Sequence, residues 1–151
     1  NEQHKHERVA LSSRNWTRLG KVVDKALLER SFFVVVGAIE TPPLSKMGLG
    51  SLEFFESNGY GGITYGNTYY ILPGQEQNES LHFHELIHTI QWDELGYESF
   101  VATYGMGLLA HGYRNSPLEI IAYDLQERFD SGEHLQELES QVRQHAKKTK
   151  C

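Results

Sequence analysis

The stretch HFHELIHTIQW, residues 82–92, constrains the fold of this chain more than any other segment. It contains the pattern H-E-x-x-H, and the 3.6 residues per turn of an α-helix place His84 and His88 one above the other on one face. Two imidazoles in that arrangement can each give a nitrogen to one Zn²⁺ at about 2.0–2.1 Å. Glu85 lies roughly 100° round the helix, too far to bind the metal but close enough to reach a water on it. The pattern therefore predicts a metal site on a helix.

The residues around the pattern predict where this helix begins and ends. Asn78 or Ser80 would cap a helix running from about Glu79 to Leu95, and Gly96 would follow its end. Four apolar side chains would bury it against the rest of the protein: Leu81, Leu86, Ile87 and Ile90. The alternative interpretation is a buried amphipathic helix with surface histidines and no metal.

Other polar residues of this helix are poorly placed to complete a metal site. His82 is two residues from His84 and points to another face, so we expect it to face solvent or to support a ligand from outside. Glu94 follows His88 by six residues, but it lies about 240° round a continuous helix. Asp93 likewise points away from the histidine pair and cannot bind the metal. A catalytic zinc ion has three protein ligands and one open position, so the third ligand must come from elsewhere.

Glu119, in NSPLEIIAYDLQERF, is the candidate for that third ligand. Pro117 would open a helix to about Phe129, and this helix can pack across the first one. The rival interpretation is a capping box, in which Glu119 bonds the backbone N–H of Ser116. Asp124, further along, either orients a ligand histidine or is an ordinary surface acid.

Composition excludes several classes of protein. The chain has 151 residues, enough for one domain, 1–151, and its net charge of −6 argues against a nucleic-acid partner. No apolar run approaches the ~20 residues of a membrane span. Cys151 is the only cysteine, so any metal must rely on His, Glu and Asp. The first residue is Asn1 and not Met, which indicates processing or trimming, and both a secreted or periplasmic and a cytoplasmic location stay open.

The remaining segments predict an α+β fold with an N-terminal helix, a small mixed or antiparallel sheet within 32–72, and a helical half that carries the site. The polar N-terminal residues 1–13 are expected to be flexible. The other predicted elements are a helix over 15–30 capped by Ser12 or Ser13, a strand over 32–39, a loop over 41–51, a short strand or turn over 51–57, a turn over 58–62, a long strand or a hairpin bent at Gly66–Asn67 over 62–72, a helix over 99–110, and a polar outer helix over 133–147. Gly105 and Gly107 would allow close packing of the helix over 99–110.

HELIHTIQW, an interval of about thirty residues, and then NSPLEIIAYDLQ resemble the gluzincin group of zinc metallopeptidases. The similarity is to very small members, including minimal single-domain gluzincins and the H-E-L-x-H-x-x-Q domains of bacterial secreted or toxin-associated proteins. It covers roughly residues 62–130. Tyr123 stands where the large thermolysin-like members have an aspartate, with Asp124 next to it.

This resemblance implies a zincin-like fold with Zn²⁺ bound by His84, His88 and Glu119. It implies Glu85 as general base in peptide-bond hydrolysis, and a strand within 62–72 that pairs with an extended peptide or protein substrate. The candidates for the donor that stabilises the oxyanion are His111, Tyr113 and Tyr123. A zinc-binding but inactive or latent interaction module, to which the tail ending in Cys151 could supply a thiolate, is the alternative, and a metal-free structural protein is the third interpretation.

Overall fold

The computed structural model describes residues 8–37 and 62–151, and these form an α+β fold, as the sequence predicts. The strands are β1 (Val9–Ala10), β2 (Phe32–Val35), β3 (Gly62–Tyr65) and β4 (Thr68–Ile71). The helices are a 3-10 helix (Leu11–Ser13), α1 (Leu19–Val22), α2 (Lys25–Glu29), α3 (Glu79–His111), α4 (Pro117–Asp130) and α5 (Leu138–Thr149). The loop predicted over 41–51, the segment 51–57 and most of the turn over 58–62 lie outside the described residues.

The four strands form one mixed sheet in the order β1-β2-β4-β3. β2 runs parallel to β4, whereas β1 and β3 run antiparallel to their neighbours. β3 and β4 are joined by the two-residue turn Gly66–Asn67, with Gly66 at φ 64°. The segment 62–72 is therefore a hairpin bent at the predicted residues and not one long strand.

The N-terminal part differs from its prediction. The single helix expected over 15–30 is two short helices, because Val23 is extended at φ −104° and ψ 134° between them. The adjacent Val22 and Val23 have stiff β-branched side chains, which lower helix propensity at this point. Ser13 caps neither helix and bonds the carbonyl oxygen of Ala10 at 2.6 Å. Residues 8–13, expected to be flexible, include β1 and the 3-10 helix, and Leu11 is fully buried.

Helix α3 has the predicted beginning and the predicted break. The side chain of Asn78 accepts a hydrogen bond from the backbone N–H of Leu81 at 3.2 Å, as a cap. Gly96 has φ 76° and ψ 172°, which no helix contains, so the chain bends there before the second part of the helix continues to His111. This bend directs the second part of α3 back over the first turn of α4, where Gly107 meets Pro117.

Replacing Gly96 by alanine is expected to destabilise the protein by about 1–3 kcal/mol, because its backbone conformation is nearly exclusive to glycine. The measurement is the free energy of unfolding in urea. Gly20 in α1 is the matched control, since an added Cβ there meets nothing within 4 Å. Gly20→Ala should be neutral or stabilising by up to ~1 kcal/mol. Equal stability of the Gly96→Ala variant and the parent would contradict this account of the bend.

The first part of α3 lies in the core between the sheet and the helices α4 and α5. Its buried side chains include the predicted Leu86, Ile87 and Ile90, and Phe83 stacks on Phe129 of α4 with ring centroids 4.5 Å apart. The sheet contributes three buried residues to this core: Phe33, Tyr69 and Ile71. The metal motif is therefore fixed on a helix that is packed on several sides.

His82 is part of this core, and the expectation that it faces solvent or supports a ligand is wrong. It is fully buried, its Nδ1 lies at the hydroxyl of Tyr69, and its Nε2 lies 2.9 Å from the carbonyl oxygen of Glu76. The rings of Trp16 and Phe33 pack on it at 4.7 and 4.9 Å. Burial lowers the pKa of His82, so it is a neutral core residue.

The C-terminal helix α5 begins five residues later than predicted and is not simply an outer helix. Leu138, Val142 and Ala146 are buried, whereas its polar face carries Arg143, which bonds Asp93 at 2.6 Å and Glu94 at 3.1 Å. These ion pairs place both acids away from the histidine pair, as their helical angle predicts. Across residues 8–37 and 62–151, no helix combines the length and apolar character needed to cross a membrane.

Candidate metal centre

Two helices bring together three side chains that could hold a metal ion. His84 and His88 come from the first part of α3, and Glu119 comes from the first turn of α4. Oε1 of Glu119 lies 3.1 Å from Nε2 of each histidine, and the two Nε2 atoms lie 3.2 Å apart. All three residues are buried. The structure thus joins the predicted histidine pair to the predicted glutamate.

The start of α4 explains how Glu119 reaches the histidines. Pro117 occupies the first turn. The backbone N–H of Ser116 donates to the carbonyl oxygen of Tyr113 at 3.3 Å, and both oxygens of Glu119 have other partners, so the capping-box interpretation of Glu119 is wrong. The second part of α3 packs closely against the start of α4, since a Cβ added to Gly107 would lie only 3.1 Å from Cδ of Pro117. Gly107 therefore has the packing role predicted for it, and it allows α4 to begin beside the histidine pair.

The outer nitrogen of each imidazole has an amide partner. Nδ1 of His84 lies 2.8 Å from Oε1 of Gln126, and Nδ1 of His88 lies 2.7 Å from Oε1 of Gln91. The amide of Gln91 is oriented by its own donation to the carbonyl oxygen of Leu118 at 3.0 Å, so its oxygen must face the ring. Each Nδ1 is then the donor, and each Nε2 faces the shared centre, where its lone pair can bind a metal ion once no proton occupies it. This donor set suits a divalent metal ion.

The charges in the cluster are strongly coupled. Burial alone would lower the pKa of His88, but the adjacent Glu119 carboxylate raises it to about 9. Burial raises the pKa of Glu119, and the two histidines overcome this and hold it well below its usual value. Glu119 is therefore ionised, and in the absence of metal a proton on His88 competes with a metal ion for the same lone pair.

The second carboxylate oxygen of Glu119 has its own partner, which the sequence did not reveal. The hydroxyl of Tyr104, on the second part of α3, donates to Oε2 of Glu119 at 2.5 Å. Burial, with the charges of Glu119 and Glu85, raises the pKa of Tyr104 well above its usual value, so its hydroxyl stays protonated. In the sequence, only Gly96 hints at this contact, because a bend there brings Tyr104 back to Glu119. The tyrosine itself gives no signal, since a tyrosine at helical spacing is more often a core residue.

Glu85 lies on the side of α3 that faces the sheet. The hydroxyl of Thr64 in β3 donates to Oε2 of Glu85 at 2.6 Å, and a Cβ on Gly62 would lie 3.0 Å from Oε1. Glu85 is 4% exposed. Glycine at position 62 thus lets the strand pass directly over the carboxylate. Among the described strands β3 is at the end of the sheet, and its residues Gly62 and Thr64 lie against Glu85.

The other predicted residues lie at different distances from this cluster. Tyr113 is half-buried, and its hydroxyl lies 3.0 Å from that of Tyr123, whose ring packs on His84 at 4.6 Å. His111 is exposed at the end of α3.

Two open questions from the sequence concern Asp124 and Cys151. Asp124 is exposed, and Gln126 is the residue that orients His84. The Cys151 thiol is free and exposed, so the structure gives it no place at the centre.

The chain is thus an α+β protein with a buried His–His–Glu cluster. In comparisons with known proteins, no family model, curated protein or solved structure matches it.

Proposed function

We propose that this chain is a zinc-dependent hydrolase of peptide bonds with a zincin-like, gluzincin-type arrangement. The observation that carries the proposal is the convergence of Nε2 of His84, Nε2 of His88 and Oε1 of Glu119 at 3.1–3.2 Å from one another. The H-E-x-x-H pattern and the later glutamate of the resemblance supply those same atoms. Two imidazoles and one carboxylate form the ligand set of catalytic zinc sites that keep an open position.

In this proposal a zinc ion held by His84, His88 and Glu119 would lower the pKa of a water molecule bound to it to about 7. Glu85 is the general base that accepts the proton of the attacking water and later gives it to the leaving amine. The bond from Thr64 holds Oε2 of Glu85 and leaves Oε1 to move the proton. Tyr113 is a better candidate than His111 for the oxyanion donor, because it contacts Tyr123, which packs on His84.

The edge of β3 is the proposed docking place for the substrate. An extended peptide can add to an exposed strand edge through main-chain hydrogen bonds, which read no particular side chain. β3 pairs with β4 on one side and holds Glu85 through Thr64, so a peptide on its outer edge would pass beside the general base. Substrates of this kind are unfolded or flexible protein segments.

Burial of the whole cluster favours a second candidate, a zinc-binding but latent or inactive module. His84, Glu85, His88 and Glu119 are only 5%, 4%, 6% and 2% exposed. A substrate carbonyl must reach the metal and Glu85, whereas a purely structural zinc ion needs no access. This candidate has the same ligands but predicts no turnover.

Metal analysis of tag-free protein, combined with hydrolysis of a fluorogenic peptide mixture, tests the proposal. We expect one zinc ion per chain, hydrolysis that a chelator abolishes, and recovery when zinc is added back. A full zinc complement without hydrolysis by the intact chain would reject the peptidase and favour the latent module. A metal content far below one per chain after incubation with zinc would reject both.

A further inference from the structure

The two carboxylate oxygens of Glu119 have separate partners. Oε1 lies 3.1 Å from Nε2 of His84 and of His88. Oε2 faces the other way and accepts the hydroxyl hydrogen of Tyr104 at 2.5 Å. A carboxylate can bind a metal through one or both of its oxygens, so whatever occupies Oε2 decides how many positions Glu119 takes.

The geometry points to Tyr104 as a positioning residue that keeps Glu119 a one-oxygen ligand of the metal. The inference rests on the metal-binding part of the proposed function and adds a residue to it. A carboxylate that bound through both oxygens would take the position that water and the substrate carbonyl need. By holding Oε2, Tyr104 preserves an open position for them.

Packing around the tyrosine ring fixes its hydroxyl in this place. The ring stacks on Phe100 with centroids 5.5 Å apart, and the edge of the His88 ring meets it at 6.2 Å. Phe100 in turn stacks on Trp92 at 4.1 Å. These rings connect the two parts of α3 across the bend at Gly96. The bend thus lets a single helix carry both the histidine ligands and the residue that orients the glutamate.

The test is Tyr104→Phe, which removes one hydroxyl and keeps the ring. Loss of a partner that orients a metal ligand weakens metal binding by about 10–100-fold, and we expect a fall of that size in zinc affinity. With cobalt in place of zinc, the visible absorption bands should weaken, because a glutamate that binds through two oxygens raises the coordination number. Tyr97→Phe is the control: this tyrosine is on the same helix and 65% exposed, and its variant should match the parent.

Unchanged zinc affinity and an unchanged cobalt spectrum in Tyr104→Phe would overturn the inference, even if turnover fell, because the hydroxyl would then act on the reaction and not on the ligand. A crystal structure of the zinc-loaded parent gives a test that does not depend on the variant folding. One oxygen of Glu119 within about 2.2 Å of zinc, with Tyr104 on the other, supports the inference. Both oxygens at that distance overturn it. A parent that binds metal but cleaves no peptide would reject the peptidase alone.

Discussion

Exchange of Glu119 for glutamine is expected to lower the zinc affinity of this protein by about 10³-fold. Zinc sites in small proteins have apparent binding free energies of roughly 10–16 kcal/mol, so each of three or four ligands accounts for about 2.5–5 kcal/mol, and the middle of this range corresponds to about 10³-fold. Glutamine keeps the shape of Glu119 but removes the one negative charge that lies between the two imidazoles. The measurement is a competition titration against a chromophoric chelator.

Asp124→Asn is the matched control for this variant. It removes the same charge from the same helix, but Asp124 is exposed and makes no contact with the cluster among the described hydrogen bonds. Its zinc affinity should stay within about threefold of the parent, as is usual for a surface substitution. In the parent, zinc must displace a proton from His88, whose pKa the Glu119 carboxylate raises to about 9, so the zinc affinity should rise from pH 7 to 9. Zinc binding by Glu119→Gln within tenfold of the parent would mean that the third ligand lies elsewhere.

The cluster of His84, His88 and Glu119 could be predicted from the sequence because each part depends on a local rule. His84 and His88 are four residues apart, and helical geometry alone places them on one face. Glu119 follows a proline that marks the start of a helix, and the competing capping box could be named in advance as the arrangement to exclude. The structure excludes it, because the backbone N–H of Ser116 donates to the carbonyl oxygen of Tyr113 and not to Glu119. Where the position of a side chain depends only on its own helix, the sequence was sufficient to predict it.

Two residues that contact the His–His–Glu cluster, Gln126 and Tyr104, could not be predicted, because each meets its partner only through tertiary packing. Gln126 reaches His84 across 42 residues of sequence, and Tyr104 reaches Glu119 only because α3 bends at Gly96. Asp124 is one residue from the position that the resemblance marks and two from Gln126, yet it points to solvent. A helix rotates by about 100° per residue, so a difference of one or two positions decides between the site and the surface.

Two of the incorrect sequence predictions have a different physical origin, namely tertiary packing that overrides a local pattern. His82 was expected to face solvent or support a ligand because it is two residues from His84, but Tyr69 and the backbone of Glu76 satisfy both of its ring nitrogens in the core. The helix over 15–30 had helical spacing of its apolar residues, yet Val23 is buried in an extended conformation. Hydrophobic spacing alone cannot show where a segment turns to bury a single side chain.

Exchange of Glu85 for glutamine is expected to lower the rate of peptide hydrolysis by about 10²–10⁴-fold and to leave the zinc affinity unchanged. A general base must accept a proton, and an amide cannot do so at neutral pH. The fold should persist, because the amide oxygen can still accept the hydroxyl hydrogen of Thr64. The measurements are kcat/KM on the best peptide and zinc affinity by the same competition titration.

Glu98→Gln is the control, since Glu98 is an exposed carboxylate of the same helix. Its hydrolysis and zinc binding should equal those of the parent. This prediction separates peptide hydrolysis from zinc binding: Glu85→Gln should lose only hydrolysis, whereas Glu119→Gln should lose both. Glu85 is next to His84 in sequence, but its carboxylate contacts Thr64 of β3. Under the proposed mechanism, its exchange should therefore affect the reaction and not the zinc affinity. If Glu85→Gln hydrolyses peptides as fast as the parent, the metal cluster can stand, but the proposed mechanism cannot.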